Sequence, residues 1–401
     1  PSNKRGVEMN TKVALRKEAV RLYWQAGLSK AEISRRLKKS RRWVVRWLAR
    51  YDHEQGEKSL EDCSSAPKHR KEVYPTRIKN RALKSRKARK AQGRKYPYAL
   101  ISAKAIYYEL RDLGVGPCPP PRTIHFWLKQ AGEVDKPTKP CQESNPTYPA
   151  PRCQAVNDVH ELDLKGPFYL KHSSQKYYLI VLRDVFGKRV ALRALKEKEM
   201  EQIIDFSVAV WQKIGLPKFL QMDNGLEFRG SNAYPRSLSR LMRVCLDVKV
   251  QPVFIPKSEP WRNGVVENLN GLIQRLFLKA KVFKNEKQLF KEVQKLETCI
   301  NATHQLPALN GKTPNKFSEK AARHFLSSGY DWRKRSLQKV KGKVIFIRLV
   351  RKSGRITLNA NDKFFVGKKY KWQYVQAIVN VQKKQLGFCL MGKWIKSVAY
   401  S

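Results

Sequence analysis

Three acidic residues stand at the ends of regular elements, where chemistry is usually placed. Asp223 closes the apolar run Phe219-Leu-Gln-Met and leads into Asn224-Gly225, a turn dipeptide. Glu267 follows the Pro/Gly loop Pro256-Lys-Ser-Glu-Pro-Trp-Arg-Asn-Gly264 and stands on an opening helix. Asp163 lies upstream in His160-Glu-Leu-Asp-Leu-Lys-Gly-Pro167, a strand that runs into a Gly-Pro break. Three carboxylates from three elements are hard oxygen donors that suit a pair of Mg2+ ions, with Mn2+ as a substitute. Two such ions about 3.5 to 4 Å apart activate a water or a 3′-hydroxyl and stabilise the leaving oxygen of an in-line phosphodiester displacement, with no histidine base required. Taken singly, each acid has a plainer reading: Asp163 caps a strand end, Asp223 forms a turn, and Glu267 faces a helix dipole. The three together, in this order, favour the catalytic reading.

The elements that must position these acids follow from the texture after residue 154. Residues 156–164 read as a strand, and 177–186 and 189–195 as antiparallel strands joined at Gly187. A helix over 200–214, a strand at 218–222, a helix around 237–246, a strand at 250–255 and helices from Gly264 and Asn285 come next. Three antiparallel strands followed by strand-helix alternation is the pattern of a ribonuclease H-like α/β core, assigned to 154–330, with Asp163 and Asp223 on adjacent central strands. On the helix of Glu267, spacing assigns Val265, Leu269, Leu272 and Leu276 to the buried stripe and Asn263, Asn270 and Gln274 to the polar face. His160 is read as a strand residue and Asp184 as structural.

The rest of the chain points to a polyanionic partner. Lys and Arg number 83 against 33 Asp and Glu, a net charge of +50, and so much charge of one sign is relieved by nucleic acid. Residues 11–61 read as a helix-turn-helix domain: a helix to Ala26 stopped by Gly27, a second opened by the capping box Ser29-Lys-Ala-Glu32, and a third capped by Ser40. The third can bury Val44, Trp47 and Leu48 while Arg41, Arg42 and Arg46 project toward DNA. Residues 62–95 read as a basic connector, with too little apolar content over 77–90 to bury much. A second helix-turn-helix or winged-helix-like domain is expected over 96–132, offering Arg122, Thr123, His125 and Lys129 to DNA. A Pro-rich linker over 133–153 follows. From residue 340 to 401 short strands with tight turns predict a small SH3-like β-barrel. Lys257 and Arg262 flank the last acid and are read equally as phosphate contacts or as solvated loop cations. Seven scattered cysteines without a CxxC give neither a disulfide framework nor a zinc site. With no long apolar run and no signal-like segment, a cytosolic or nucleoid protein is expected.

On these residues the chain resembles the DDE transposases and retroviral-type integrases, and most closely the IS481 group of bacterial insertion-sequence transposases, relatives of the IS3 group. The resemblance runs through the tandem helix-turn-helix units, Ser64 to Pro67, Leu162-Asp163-Leu-Lys-Gly-Pro, Asp223-Asn-Gly, Pro256 to Glu267 and Gly342-Lys-Val-Ile-Phe-Ile-Arg. It implies Asp163, Asp223 and Glu267 as catalytic and metal-binding residues, Mg2+ as cofactor, element ends and target DNA as substrates, and a homodimer or higher homo-oligomer. The integrase spacing from Asp223 to its glutamate lands on Glu259; Asn263-Gly-Val-Val-Glu267 carries the family's helix-borne glutamate, and an insertion near 229–239 explains the longer interval. The His-His-Cys-Cys zinc site of retroviral integrases has no counterpart in the spacing. Two rivals remain at this point: a ribonuclease H-type nuclease that cuts without joining, and a catalytically silent DNA-binding regulator.

Overall fold

In the computed structural model, which describes residues 2–62, 73–134, 147–234, 236–359 and 362–400, the chain divides into two units, Pro1–Val73 and Tyr74–Ser401. The resemblance-bearing stretch Ser64 to Pro67 and most of the Pro-rich linker lie outside the described residues.

The first unit holds α1 (Ser2–Trp24), α2 (Lys30–Leu37) and α3 (Arg41–Arg50), closed by a short turn of 3-10 helix at Gly56–Leu60. Both sequence caps form. The Ser29 hydroxyl accepts the Glu32 N–H while the Glu32 carboxylate takes the Ser29 N–H, and Ser40 accepts from Trp43 N. Ala19, Leu22, Ile33 and Val44 make the small core. Arg16 completes it as an amphipathic strap: its guanidinium lies 3.7 Å over the Trp47 ring and bonds Leu60 O and Asp62, each at 2.7 Å.

The second unit opens with α4 (Thr76–Lys90), α5 (Ala103–Asp112) and α6 (Pro121–Gln130). The basic connector expected over 62–95 is thereby corrected, since its second half is the first helix of a three-helix unit. Ile78 and Ala82, with the partly buried Leu83, are all that α4 gives to an apolar stripe, which is why composition pointed elsewhere. The deficit is met by polar burial: Arg89 pairs with Glu109 at 3.1 Å, and Arg86 reaches Ile101 O and Glu133 O. Ala82, Ile106, Leu110, Ile124 and Leu128 form the core they enclose.

One nine-stranded sheet follows, made of β1 (Val159–Tyr169), β2 (Lys176–Asp184), β3 (Val190–Leu195), β4 (Phe219–Met222), β5 (Gln251–Phe254), β6 (Lys343–Leu349), and, after the hairpin β7 (Arg355–Thr357) and β8 (Lys363–Phe365), β9 (Tyr374–Asn380), β10 (Gln385–Leu390) and β11 (Lys393–Ala399). The order is β11-β10-β9-β6-β5-β4-β1-β2-β3. β1, β2 and β3 pair antiparallel, while β1, β4 and β5 run parallel, as the mixed α/β pattern requires. Between strands lie α7 (Met200–Lys213), α8 (Leu226–Arg229), α9 (Arg240–Asp247), α10 (Gly264–Ile273), α11 (Glu286–Thr303) and α12 (Pro314–Ser318). Alternation along β2 shows the layering: Ile180 and Leu182 face α7 and α9, and Leu179 and Val181 face α10 and α11. Tyr98, between α4 and α5, is buried against the Phe277 ring and takes a bond from Lys281 at 2.7 Å, which ties the helical unit to this second layer.

The C-terminal strands do not stand apart as a barrel. β6 pairs parallel with β5, setting Val253 opposite Ile345 and Phe254 opposite Phe346, whose rings stack with centroids 5.0 Å apart. β6 is buried on both faces from Val344 to Arg348, the habit of a central strand and not of a barrel wall with one wet face. The unbroken apolar run Val344-Ile-Phe-Ile347 is the sequence mark of that burial; the short strands and tight turns after it are what suggest a barrel.

Candidate active site

The register places the first two acids. β1 and β4 pair Val159 with Phe219 and Glu161 with Gln221; continuing two places sets Asp163 opposite Asp223, on strands about 4.8 Å apart. Leu162 points into the core under α7, so Glu161 and Asp163 point to the opposite face, where α10 lies. There Asp163 Oδ2 accepts from Asn270 Nδ2. Asp223 turns the chain by accepting Gly225 N at 2.8 Å.

Glu267 joins them from the first turn of α10. Its carboxyl is pushed up by burial and then by Asp163, and that of Asp223 is pushed up by burial, Asp163 and Glu227. Asp163 thus acts as a nearby like charge on both Asp223 and Glu267. Lys198, ion-paired with Glu227 at 3.6 Å, counters this only in part at Asp223. Among the described residues no three His, Cys, Asp or Glu side chains stand close enough to share one ion as placed. The donor set nonetheless fits a hard cation. Its carboxylates repel one another in a desolvated place, and Asn270 Oδ1, on the side chain that touches Asp163, is a buried oxygen without a hydrogen-bond partner.

A buried network that the sequence did not reveal holds α10 in place. Glu161, 4% exposed, accepts Val266 N at 2.6 Å and Gln221 Nε2 at 3.3 Å. Gln221 also donates to Asn263 Oδ1 at 3.1 Å, and Arg183 to Val265 O at 3.1 Å. The only signal in sequence was an acid two residues before Asp163, hence on the same strand face. These bonds set the rotation of α10. Val266, Leu269, Ile273 and Leu276 are its buried stripe, with Asn263 and Asn270 also buried, in place of the stripe through Val265 and Leu272 and the polar face through Asn263 and Asn270. Burial pushes the Glu161 carboxyl up to about 7. A group raised in this way contributes stability below its unfolded value that is lost as pH rises to about 7. Glu161→Gln should therefore flatten the fall in denaturation midpoint between pH 5 and 8 in metal-free protein, measured in urea against the unsubstituted chain.

The other predicted residues fall into two groups. His160 is fully buried against Asn157 Oδ1 at 2.9 Å, its imidazole pushed down to about 3 by burial. Asp184 caps the β2–β3 turn by accepting Phe186 N and Gly187 N at 3.1 and 3.0 Å. Both are structural. Arg262 is engaged: it pairs with Glu259 at 3.0 Å and lies between the Tyr148 and Tyr374 rings at 4.4 and 4.8 Å. Tyr374 also donates to Glu259 at 2.7 Å. Arg262 is thus held by Glu259 and two rings, and Glu259 in turn by Arg262 and Tyr374. In the first unit Arg41, Arg42 and Arg46 are exposed while Val44 and Trp47 are buried. On α6, Arg122, His125 and Lys129 are exposed and Thr123 is half-buried. Lys257 is exposed in the loop before Glu259.

A homeodomain-like domain family matches residues 10–60, the stretch folded as α1 to α3. No curated protein matches the chain. Among solved structures, the HTLV-2 integrase catalytic core domain in complex with magnesium is 21% identical, covering 41% of this chain and 99% of that one at a TM-score of 0.33. A simian T-cell lymphotropic virus intasome in complex with the PP2A regulatory subunit B56 gamma is 14% identical over 74% of this chain and 95% of that one, with a TM-score of 0.35. The catalytic core domain of BIV integrase is 15% identical over 40% of this chain and 92% of that one, with a TM-score of 0.28. At TM-scores of this size the fold rests on the strand order and register given above. Among the described residues no helix is long and apolar enough to cross a membrane.

Proposed function

We propose that this chain is a DNA transposase of the integrase type, akin to the IS481-group insertion-sequence transposases. In this reading the exposed faces of α3 and α6 bind the terminal inverted repeats of a mobile element. Asp163, Asp223 and Glu267 then serve cleavage at the element end and joining of its 3′-hydroxyl to target DNA. The observation that supports it most is the register that sets Asp163 beside Asp223 under the helix of Glu267. The three acids would hold two Mg2+ ions, which when bound supply Lewis acidity at the attacking and leaving oxygens. Asn270 orients Asp163, and the Glu161 network holds α10 so that Glu267 stays in reach. Two element ends must be brought together, so the working form is a homodimer or larger, acting on DNA in the bacterial cytosol or nucleoid.

The test starts from the DNA flanking the gene, searched for short inverted repeats. Duplexes carrying those ends, incubated with the protein and Mg2+ or Mn2+, should be cut and joined to a second duplex. Cleavage without joining would leave a nuclease, and binding with neither would leave a silent regulator. For the binding step, Arg46→Ala should lower the slope of log affinity against log salt by about one, the change that follows when one cation no longer neutralises a phosphate. Filter binding at several salt concentrations reads it.

A further inference from the structure

Asn224, the residue after Asp223, is gripped by two guanidinium groups. Arg348 of β6, 4% exposed, donates to Asn224 Oδ1 at 2.6 Å and to the carbonyls of Ile255, Thr357 and Leu358 at 2.8, 3.0 and 3.0 Å. Arg229, at the end of α8 and also buried, donates Nε to Asn224 O at 3.1 Å. Both are satisfied by neutral oxygens; among the described residues neither has a carboxylate partner.

Two exposed cations complete the group. Lys257 lies two residues beyond Ile255, whose carbonyl accepts from both Arg348 and Asn224. Its ammonium is held below its usual range by burial and then by Arg348, Arg229 and Arg351. Arg351 is exposed just past the end of β6. Four like charges brought together from the end of α8, from β6 and from the loops after β5 and β6 repel one another, a cost that an anion removes. Guanidinium and ammonium groups bind phosphate oxygens through charge-assisted hydrogen bonds. The buried pair is fixed by its carbonyl ligands and cannot swing away, while the exposed pair is free to reach.

We propose that Lys257 and Arg351, backed by the buried Arg229 and Arg348, form a binding site for a backbone phosphate of DNA beside the Asp223 turn. The site rests on the reading of DNA as substrate, not on strand transfer. It assigns the C-terminal strands a direct part in holding the strand that the acids act on.

Acetylation of lysines in the full chain by an N-hydroxysuccinimide ester, read by mass spectrometry, tests the site. A duplex of unrelated sequence at saturating concentration should slow labelling of Lys257 at least about fivefold, as for an ammonium held on a phosphate. The double variant Lys257→Ala/Arg351→Ala, both exposed and so expected to fold, should lower the salt slope of duplex binding by about two. Equal labelling of Lys257 with and without duplex, or a slope unchanged in the double variant, would overturn the site. Failure of the element-end duplexes to be joined would overturn the transposase reading and leave this one standing, so the two failures are separable.

Discussion

Asp223→Asn is expected to abolish turnover while leaving the metal-free protein as stable as before, or more so. Loss of one preorganised electrostatic partner of a transition state costs on the order of 10³ in rate, and in the proposed reading Asp223 is one of the three oxygen donors to the metal ions. Stability moves the other way. The Asp223 carboxyl is raised by burial first and by Asp163 and Glu227 after it. A carboxyl raised on folding contributes stability that is present below its unfolded value and lost as pH rises through the folded value. At neutral pH the ionised acid is therefore a cost, and the neutral amide removes it. Single-turnover cleavage and a thermal melt without metal at pH 7.5 should thus change in opposite directions. A merely structural aspartate would lose stability along with activity. Glu267→Gln should follow the same pattern with a smaller thermal effect, because beside burial only Asp163 raises its carboxyl, where Asp223 has both Asp163 and Glu227.

A chain ended at Lys339 is expected not to fold beyond its first unit. Were 340–401 a separate barrel, its removal would leave the catalytic sheet intact. Instead β6 is the parallel partner of β5, and Val344, Phe346, Val375, Val379 and Phe388 belong to the same core as Leu162, Trp211 and Leu220. Cutting there bares the edge of β5 and removes Arg348 from Asn224 and Ile255. Burying a large apolar side chain contributes about 1.5 to 3 kcal/mol, so the loss of five exceeds a typical domain stability of about 5 to 15 kcal/mol at its lower end. Circular dichroism and solubility of the truncated chain measure this directly; a soluble product with native sheet content would show that the strands are separable after all.

The acids were legible because each closes an element whose period and turn chemistry are local: Phe219 to Met222 before Asn224-Gly225, and the loop before Glu267. The caps of the first unit were legible for the same reason. What lay hidden was set by distant partners. The rotation of α10 depends on Glu161 and Arg183, residues on β1 and β2 that no local spacing connects to Val265 and Val266. The helix α4 depends on the Arg89–Glu109 pair and on carbonyls beyond it, so its composition alone read as a connector. Arg262 looked like a loop cation until Glu259 and Tyr374 were found beside it. β6 carries the continuous apolar run Val344-Ile-Phe-Ile347 of a strand buried on both faces, yet nothing local names β5 as its neighbour. Length and turns cannot supply it; the pairing in the sheet does.

Whether Asp163, Asp223 and Glu267 form one divalent-cation centre can be read from the polypeptide itself. Fe2+ in place of Mg2+, with ascorbate and peroxide, cuts a chain where the ion is held. Backbone cuts should cluster near residues 163, 223 and 267, be suppressed by excess Mg2+ and disappear in Asp163→Asn. Cuts near Glu259 in place of Glu267, or a pattern unchanged by Mg2+, would contradict a shared centre.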